Sequence, residues 1–246
     1  MDLLQEVSWF WRRGQGFILL CLLVWLANVH ICYGQTVDDV LAYFSDNPAG
    51  RQEFYVYAGD KLGAGQVSEG EKARVQNVLQ SVGEIAGLST ADWLILVADN
   101  PKFNAYALPG YIFVVNRGAL SLLTDAELQV VLCHELAHEV LGHPLAGLMR
   151  SSESMRCLRR AVRRKEAAPL TGAYWEALQM SVVLKREEKA ADIWAAQHMA
   201  AYGFDMSIAV GLWDKLRCEY GEVPYDSNHL TYRERSKIYR QNEKYR

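Results

Sequence analysis

The sequence predicts an α+β fold, mainly helical, with a small β-sheet beside one long helix. Three observations carry this prediction. Ser68 with Glu71, and Thr124 with Glu127, have capping-box spacing just ahead of runs whose apolar residues recur every three or four positions. Trp93–Val97 and Tyr111–Val115 are compact apolar segments of strand length, and Pro109-Gly110 between them favours a turn. The apolar fraction of 50% is enough for a packed core.

The elements follow in order. Arg12 and Arg13 precede an apolar run, Phe17–Ala27, which Asn28 and His30 interrupt and Gly34 follows. That run is shorter than the roughly 20 residues of a membrane helix. Residues 1–34 are therefore read as a secretory signal peptide or an N-terminal membrane anchor, with a buried helix as a third option. The first two readings place the remaining domain, residues 35–246, outside the cytoplasm of a bacterial host, in the periplasm. Asn47–Gly50 reads as a turn and Phe54–Ala58 as a short strand. A helix is expected from Ser68 to about Ala86, its inner face formed by Val75, Val78, Leu79, Val82 and Ile85. The long helix should run from about Asp125 to Leu141 and end near Gly142. Further helices are expected over Ala173–Ala201, around Leu212–Leu216, and from Thr231 toward Lys244, where Ile238 and Tyr239 are the packing positions.

The net charge of −3 lacks the basic excess expected of a nucleic-acid partner. Basic residues concentrate at Arg156, Arg159, Arg160, Arg163, Arg164 and Lys165. That stretch reads as a solvated helical face or loop; the alternatives are contact with an anionic membrane surface, an acidic substrate stretch or an inhibitory contact. The cysteines form no CxxC pair, which excludes a four-cysteine zinc site. Cys133 reads as a buried small side chain. Cys157 and Cys218 could pair in an oxidising compartment.

The chemistry is concentrated in His134-Glu135-Leu136-Ala137-His138. Two histidines four apart lie on one helix face, one turn from each other, and both imidazoles can reach one Zn²⁺. Glu135, following the first histidine, can reach a water at the metal and act as general base. A catalytic zinc wants a third protein ligand and an open position. Glu188 is the leading candidate, with Asp192 one turn later on the same face to accept a hydrogen bond from a ligand histidine. Small neighbours at Ala190, Ala191 and Ala195 let such a helix approach closely. Glu187 and His143 are competing ligands.

Four blocks in this order resemble the M48 peptidases over roughly residues 68–240: Asn104–Gly110 leading into Tyr111–Val114; His134–His138 with Gly142 and His143; Glu188–Asp192; and His229–Arg235. The likeness is greatest to small soluble or exported bacterial members. It implies a zincin-like domain, Zn²⁺ held by His134, His138 and Glu188, and Asp192 behind the ligands. It also implies that His229 and Arg235 lie near the active site and hold substrate or the developing oxyanion. Leu230 stands where the family usually has proline. The expected function is a zinc-dependent endopeptidase acting on polypeptides, among them misfolded or membrane-associated envelope proteins, with membrane-surface contact as a further expectation. The alternative is an inactive binding or chaperone-like module on the same fold.

Overall fold

The computed structural model describes residues 36–164, 170–222 and 229–242. The expected signal or anchor segment, and Lys165 of the basic stretch, lie outside the described residues. Helix α1 (Val37–Ser45) starts at Thr36, whose hydroxyl and backbone pair with Asp39 in a capping box. Helix α2 (Pro48–Lys61) starts where a turn was expected. The Asn47 side chain accepts the N–H groups of Ala49 and Gly50, and Pro48 occupies the first turn, so the same residues cap a helix. The expected strand over 54–58 is the middle of α2. Phe54 and Ala58, one turn apart, are both fully buried, and helical spacing puts both in the core where strand alternation also would.

Helix α3 (Glu69–Ala86) forms as expected behind its Ser68–Glu71 capping box and ends at Gly87 in the left-handed region. Three strands follow: β1 (Leu94–Ala98), β2 (Ala105–Leu108) and β3 (Ile112–Asn116). Their order is β1-β3-β2. β1 runs parallel to β3, with Leu94 opposite Ile112 and Ala98 opposite Asn116. β2 runs antiparallel to β3, with Ala105 opposite Val115 and Leu108 opposite Ile112. The segment read only as a lead into a turn is therefore itself an edge strand.

Helices α4 (Arg117–Leu122), α5 (Asp125–Val140), α6 (His143–Arg150), α7 (Ser152–Arg164), α8 (Leu170–Gln179), α9 (Lys185–Tyr202), α10 (Met206–Tyr220) and α11 (Tyr232–Asn242) complete the described chain. The single helix expected over 173–201 is two. The segment between them bonds to α6 instead of continuing a helical ladder: the Val182 N–H donates to the Gly147 carbonyl at 3.2 Å, and Arg150 donates to the Val182 carbonyl at 2.6 Å.

The sheet divides two cores. Every residue of β3 is buried. Phe113 and Val115 face a core shared with α3, α5, α9, α10 and α11. Ile112 and Val114 face a second core built on α1, α2, α6, α7 and α8, where Phe44, Phe54 and Tyr174 form an aromatic cluster. This is period-two alternation with both faces covered. Cys133 is buried as expected, while Cys157 and Cys218 are free thiols, so the contemplated pairing does not form.

Candidate metal centre

Helix α5 carries the site because its start and end are both well specified. Thr124 and Glu127 cap its first turn, Lys215 of α10 holds the Glu127 carboxylate at 2.9 Å, and Gly142 closes the helix at φ 71°. Helix α9 lies against it. Ala191 and Ala195 are fully buried there, and their small side chains let the two helices come close. One α9 face thereby brings Glu188 and Asp192 against His134 and His138.

The Nε2 atoms of His134 and His138 are 3.1 Å apart. Glu188 Oε2 lies 3.5 Å from His134 Nε2, and Glu188 Oε1 lies 3.3 Å from His138 Nε2. The three buried residues each offer one ligand atom within 4.8 Å of the others. The far nitrogens are engaged as well. His134 Nδ1 is 2.9 Å from Asp192 Oδ1, and His138 Nδ1 is 3.1 Å from His143 Nδ1. Each histidine thus presents Nε2 to the common point while a neighbour orients its other side.

His229 and Arg235 also reach this cluster. His229 Nδ1 lies 2.8 Å from Glu188 Oε2, and its side chain is 45% exposed. Arg235 is buried, donates to Glu188 Oε2 at 2.5 Å, and has Nε 3.5 Å from Asp192 Oδ2. Its guanidinium rests over the Trp213 ring at 4.7 Å. Both residues lie at the cluster: Arg235 sits within the carboxylates, and His229 is the more exposed of the two.

The charges account for the electrostatics. Burial works to raise the Glu188 carboxyl, but His134, His138 and His229 outweigh it and hold it well below the usual carboxylate range. At His134, burial and Arg235 depress the imidazole, and Asp192 and Glu188 reverse this to about 9. Glu135 is partly buried, and that burial raises its carboxyl against the pull of the two histidines. Glu187 is committed elsewhere. Arg150 donates to it at 2.5 Å and the Leu184 N–H donates to it at 2.9 Å, which leaves it no part in the cluster. His143 touches His138 but contributes no atom to the convergent set.

Sequence reasoning missed Glu139. Its carboxylate accepts the backbone N–H of Gly110 at 2.7 Å and of Tyr111 at 3.0 Å, tying the end of α5 to the β2–β3 turn. Tyr111 is the described non-glycine residue with positive φ, at 60°. Backbone donors 28 and 29 positions away leave no mark in composition or spacing. The glutamate following the second histidine was the one available signal.

Two imidazoles and a carboxylate, with a position left open, are the donor set that a catalytic divalent metal of the zinc type takes. The residues present therefore fit such an ion.

Comparison with known proteins agrees with this geometry. Residues 69–241 match the sequence profile of Peptidase family M48. The chain is 42% identical over 74 residues to metalloendopeptidase OMA1, mitochondrial, of Bos taurus, covering 29% of this chain and 14% of that protein. It is 28% identical over 155 residues to mitochondrial metalloendopeptidase OMA1 of Arabidopsis thaliana, covering 61% and 32%. The Schizosaccharomyces pombe protein of the same name is 27% identical over 154 residues, covering 61% and 45%. The matched region thus spans less than half the length of each of these relatives. The expectation of a bacterial periplasmic protein is corrected by them: the relatives carry mitochondrial names. A positive flank and a short apolar run, on which that expectation rested, do not specify a compartment. No helix among the described residues is long and apolar enough to cross a membrane. A profile match over most of the chain, on the same helices that converge His134, His138 and Glu188, establishes that the chain belongs to peptidase family M48.

Proposed function

We propose that the protein is a zinc-dependent endopeptidase with His134, His138 and Glu188 as metal ligands and Glu135 as general base. The observation that carries this is the convergence of those three side chains, with Asp192 and His143 behind the two histidines. Zinc held there supplies Lewis acidity at the scissile carbonyl and acidifies the attacking water. Glu135 adjoins the first ligand and does not join the ligand set. It takes the proton from the water and returns it to the leaving amine. Its raised pKa suits both halves of that task, since a carboxylate nearer the working pH accepts and gives up a proton more evenly. Asp192 holds the His134 tautomer. Arg235 balances the negative charge of Glu188 and Asp192 and keeps them in place. His229, half-exposed above Glu188, is the donor assigned to the substrate carbonyl oxygen.

Substrate is assigned to the outer edge of β2. That edge strand packs beside α5, and among the described residues its inner edge alone is paired within the sheet. An extended polypeptide can add to it by main-chain hydrogen bonds, a mode that reads backbone more than side chains and suits unfolded chains. The test is cleavage of a denatured protein by the purified, zinc-loaded chain, compared with Glu135→Gln. Removing the general base should lower kcat by about 10²–10⁴-fold while bound zinc stays stoichiometric. Equal activity in the two proteins would remove Glu135 from the mechanism, and inactivity of both would favour a binding module.

A further inference from the structure

Helix α7 carries Arg156, Arg159, Arg160, Arg163 and Arg164, all exposed, against one acidic residue, Glu153, in a chain of net charge −3. The opposite face is spent on packing. Ser154 and Leu158 are buried, and Met155 and Val162 lie against the second core. The spacing is three and four, so the arginines share one side of the helix and repel one another along it. Among the described residues one of them is ion-paired, Arg156 with Glu153 at 3.6 Å. The other four have no ion-pair partner among the described residues, and the arrangement weakens the helix that carries it.

Three features of α7 and the adjoining elements select its occupant. Every basic residue of α7 is arginine, whose planar fork pairs two oxygens of a phosphate. The row runs from Arg156 to Arg164, roughly 12 Å at the rise of an α-helix, longer than a single phosphate needs. Exposed apolar side chains stand on the preceding helix and the segment bonded to it: Met149 at 51% and Val182 at 38%. An acidic polypeptide requires charge alone, whereas a lipid interface accepts charge and apolar groups together. We infer that the arginine face of α7 docks the domain on an anionic phospholipid surface. Docking of this kind does not depend on the metal centre, since none of these arginines belongs to it.

The test is co-sedimentation of the full chain with vesicles of phosphatidylcholine alone and with vesicles containing 30% phosphatidylserine (about that fraction gives a surface potential near −30 mV). The measured quantity is the ratio of the two partition coefficients, compared between wild type and an arginine variant so that Arg12, Arg13 and the apolar run contribute equally to both. The ratio should exceed tenfold at low salt, collapse at high salt, and fall by roughly fivefold per arginine removed in R159Q/R160Q/R163Q. Cleavage of a soluble peptide by that variant should equal wild type, which shows that it folds. A ratio near one for the wild-type chain, or an undiminished ratio in the variant, would overturn the inference. Loss of vesicle binding in millimolar inorganic phosphate would assign the arginines to a free anion, and preferential binding of polyglutamate would assign them to an acidic polypeptide; either result overturns the membrane assignment.

Discussion

His134 uses its two nitrogens for separate tasks. Nε2 faces Glu188 and His138, while Nδ1 faces Asp192 at 2.9 Å. Replacing Asp192 by Asn keeps the shape but weakens the acceptor that orients the ring. Zinc affinity should then fall about 10–100-fold, read by competition with a chelator of known affinity. Unchanged affinity would mean that the Asp192 carboxylate is tied to Arg235 alone. The same reasoning separates the rival third ligands. Glu188→Ala should leave the purified protein without stoichiometric zinc, whereas His143→Ala should retain it, because His143 meets His138 on the side away from the convergent point. Metal analysis of the two variants decides the matter, and the reverse pattern would transfer the ligand assignment to His143.

Elements are held to one another by a few buried polar contacts. Glu139 is the clearest case, joining α5 to the turn between β2 and β3. Glu139→Ala leaves two backbone N–H groups without partners and should cost about 2–4 kcal/mol in urea denaturation. A loss below about 0.5 kcal/mol would show that water replaces the carboxylate. At the start of α3, the Ser68 hydroxyl and then Arg117 draw the Glu71 carboxyl down from 4.5 to about 2. A depressed carboxylate stabilises the fold above its ordinary pKa, and that stabilisation disappears as pH falls from 4.5 toward 2. The stability advantage of wild type over Glu71→Gln should therefore be constant above pH 5 and shrink through that window. A constant difference down to pH 2 would contradict the assignment. The same capping box shows why much of the chain was legible in its sequence. Local signals place α3 and α5 because caps and apolar periodicity agree there. They mislead over 47–61, where Asn47 and Pro48 begin a turn or a helix equally well and Phe-Tyr-Val-Tyr favours a strand; the exposure of Val56 between buried Phe54 and Ala58 decides for helix. The break between α8 and α9 depends on Gly147 and Arg150, more than thirty residues earlier for the bond from Val182 to either. In the site, His134, His138, Glu188 and Asp192 are visible as i, i+4 pairs, whereas the burial of Arg235 is a matter of tertiary packing.

At the scale of the molecule the two cores meet at β3, whose residues alternate between them. Neither the aromatic cluster of α1, α2 and α8 nor the packing of α5 on α9 can loosen without exposing one face of the same strand. Phe54→Ala, far from the metal centre in sequence, should cost about 3–5 kcal/mol by leaving a cavity beside Tyr174. The midpoint of thermal unfolding and the midpoint of zinc release should then move down together, as followed by circular dichroism and a zinc-sensitive dye. Separate midpoints would mean that the second core melts alone. A strand with a side chain in each core makes the domain cooperative. Zinc held at the proposed site would therefore report the state of helices that contribute no ligand to it, and damage anywhere around the sheet would end in the same event, loss of the metal.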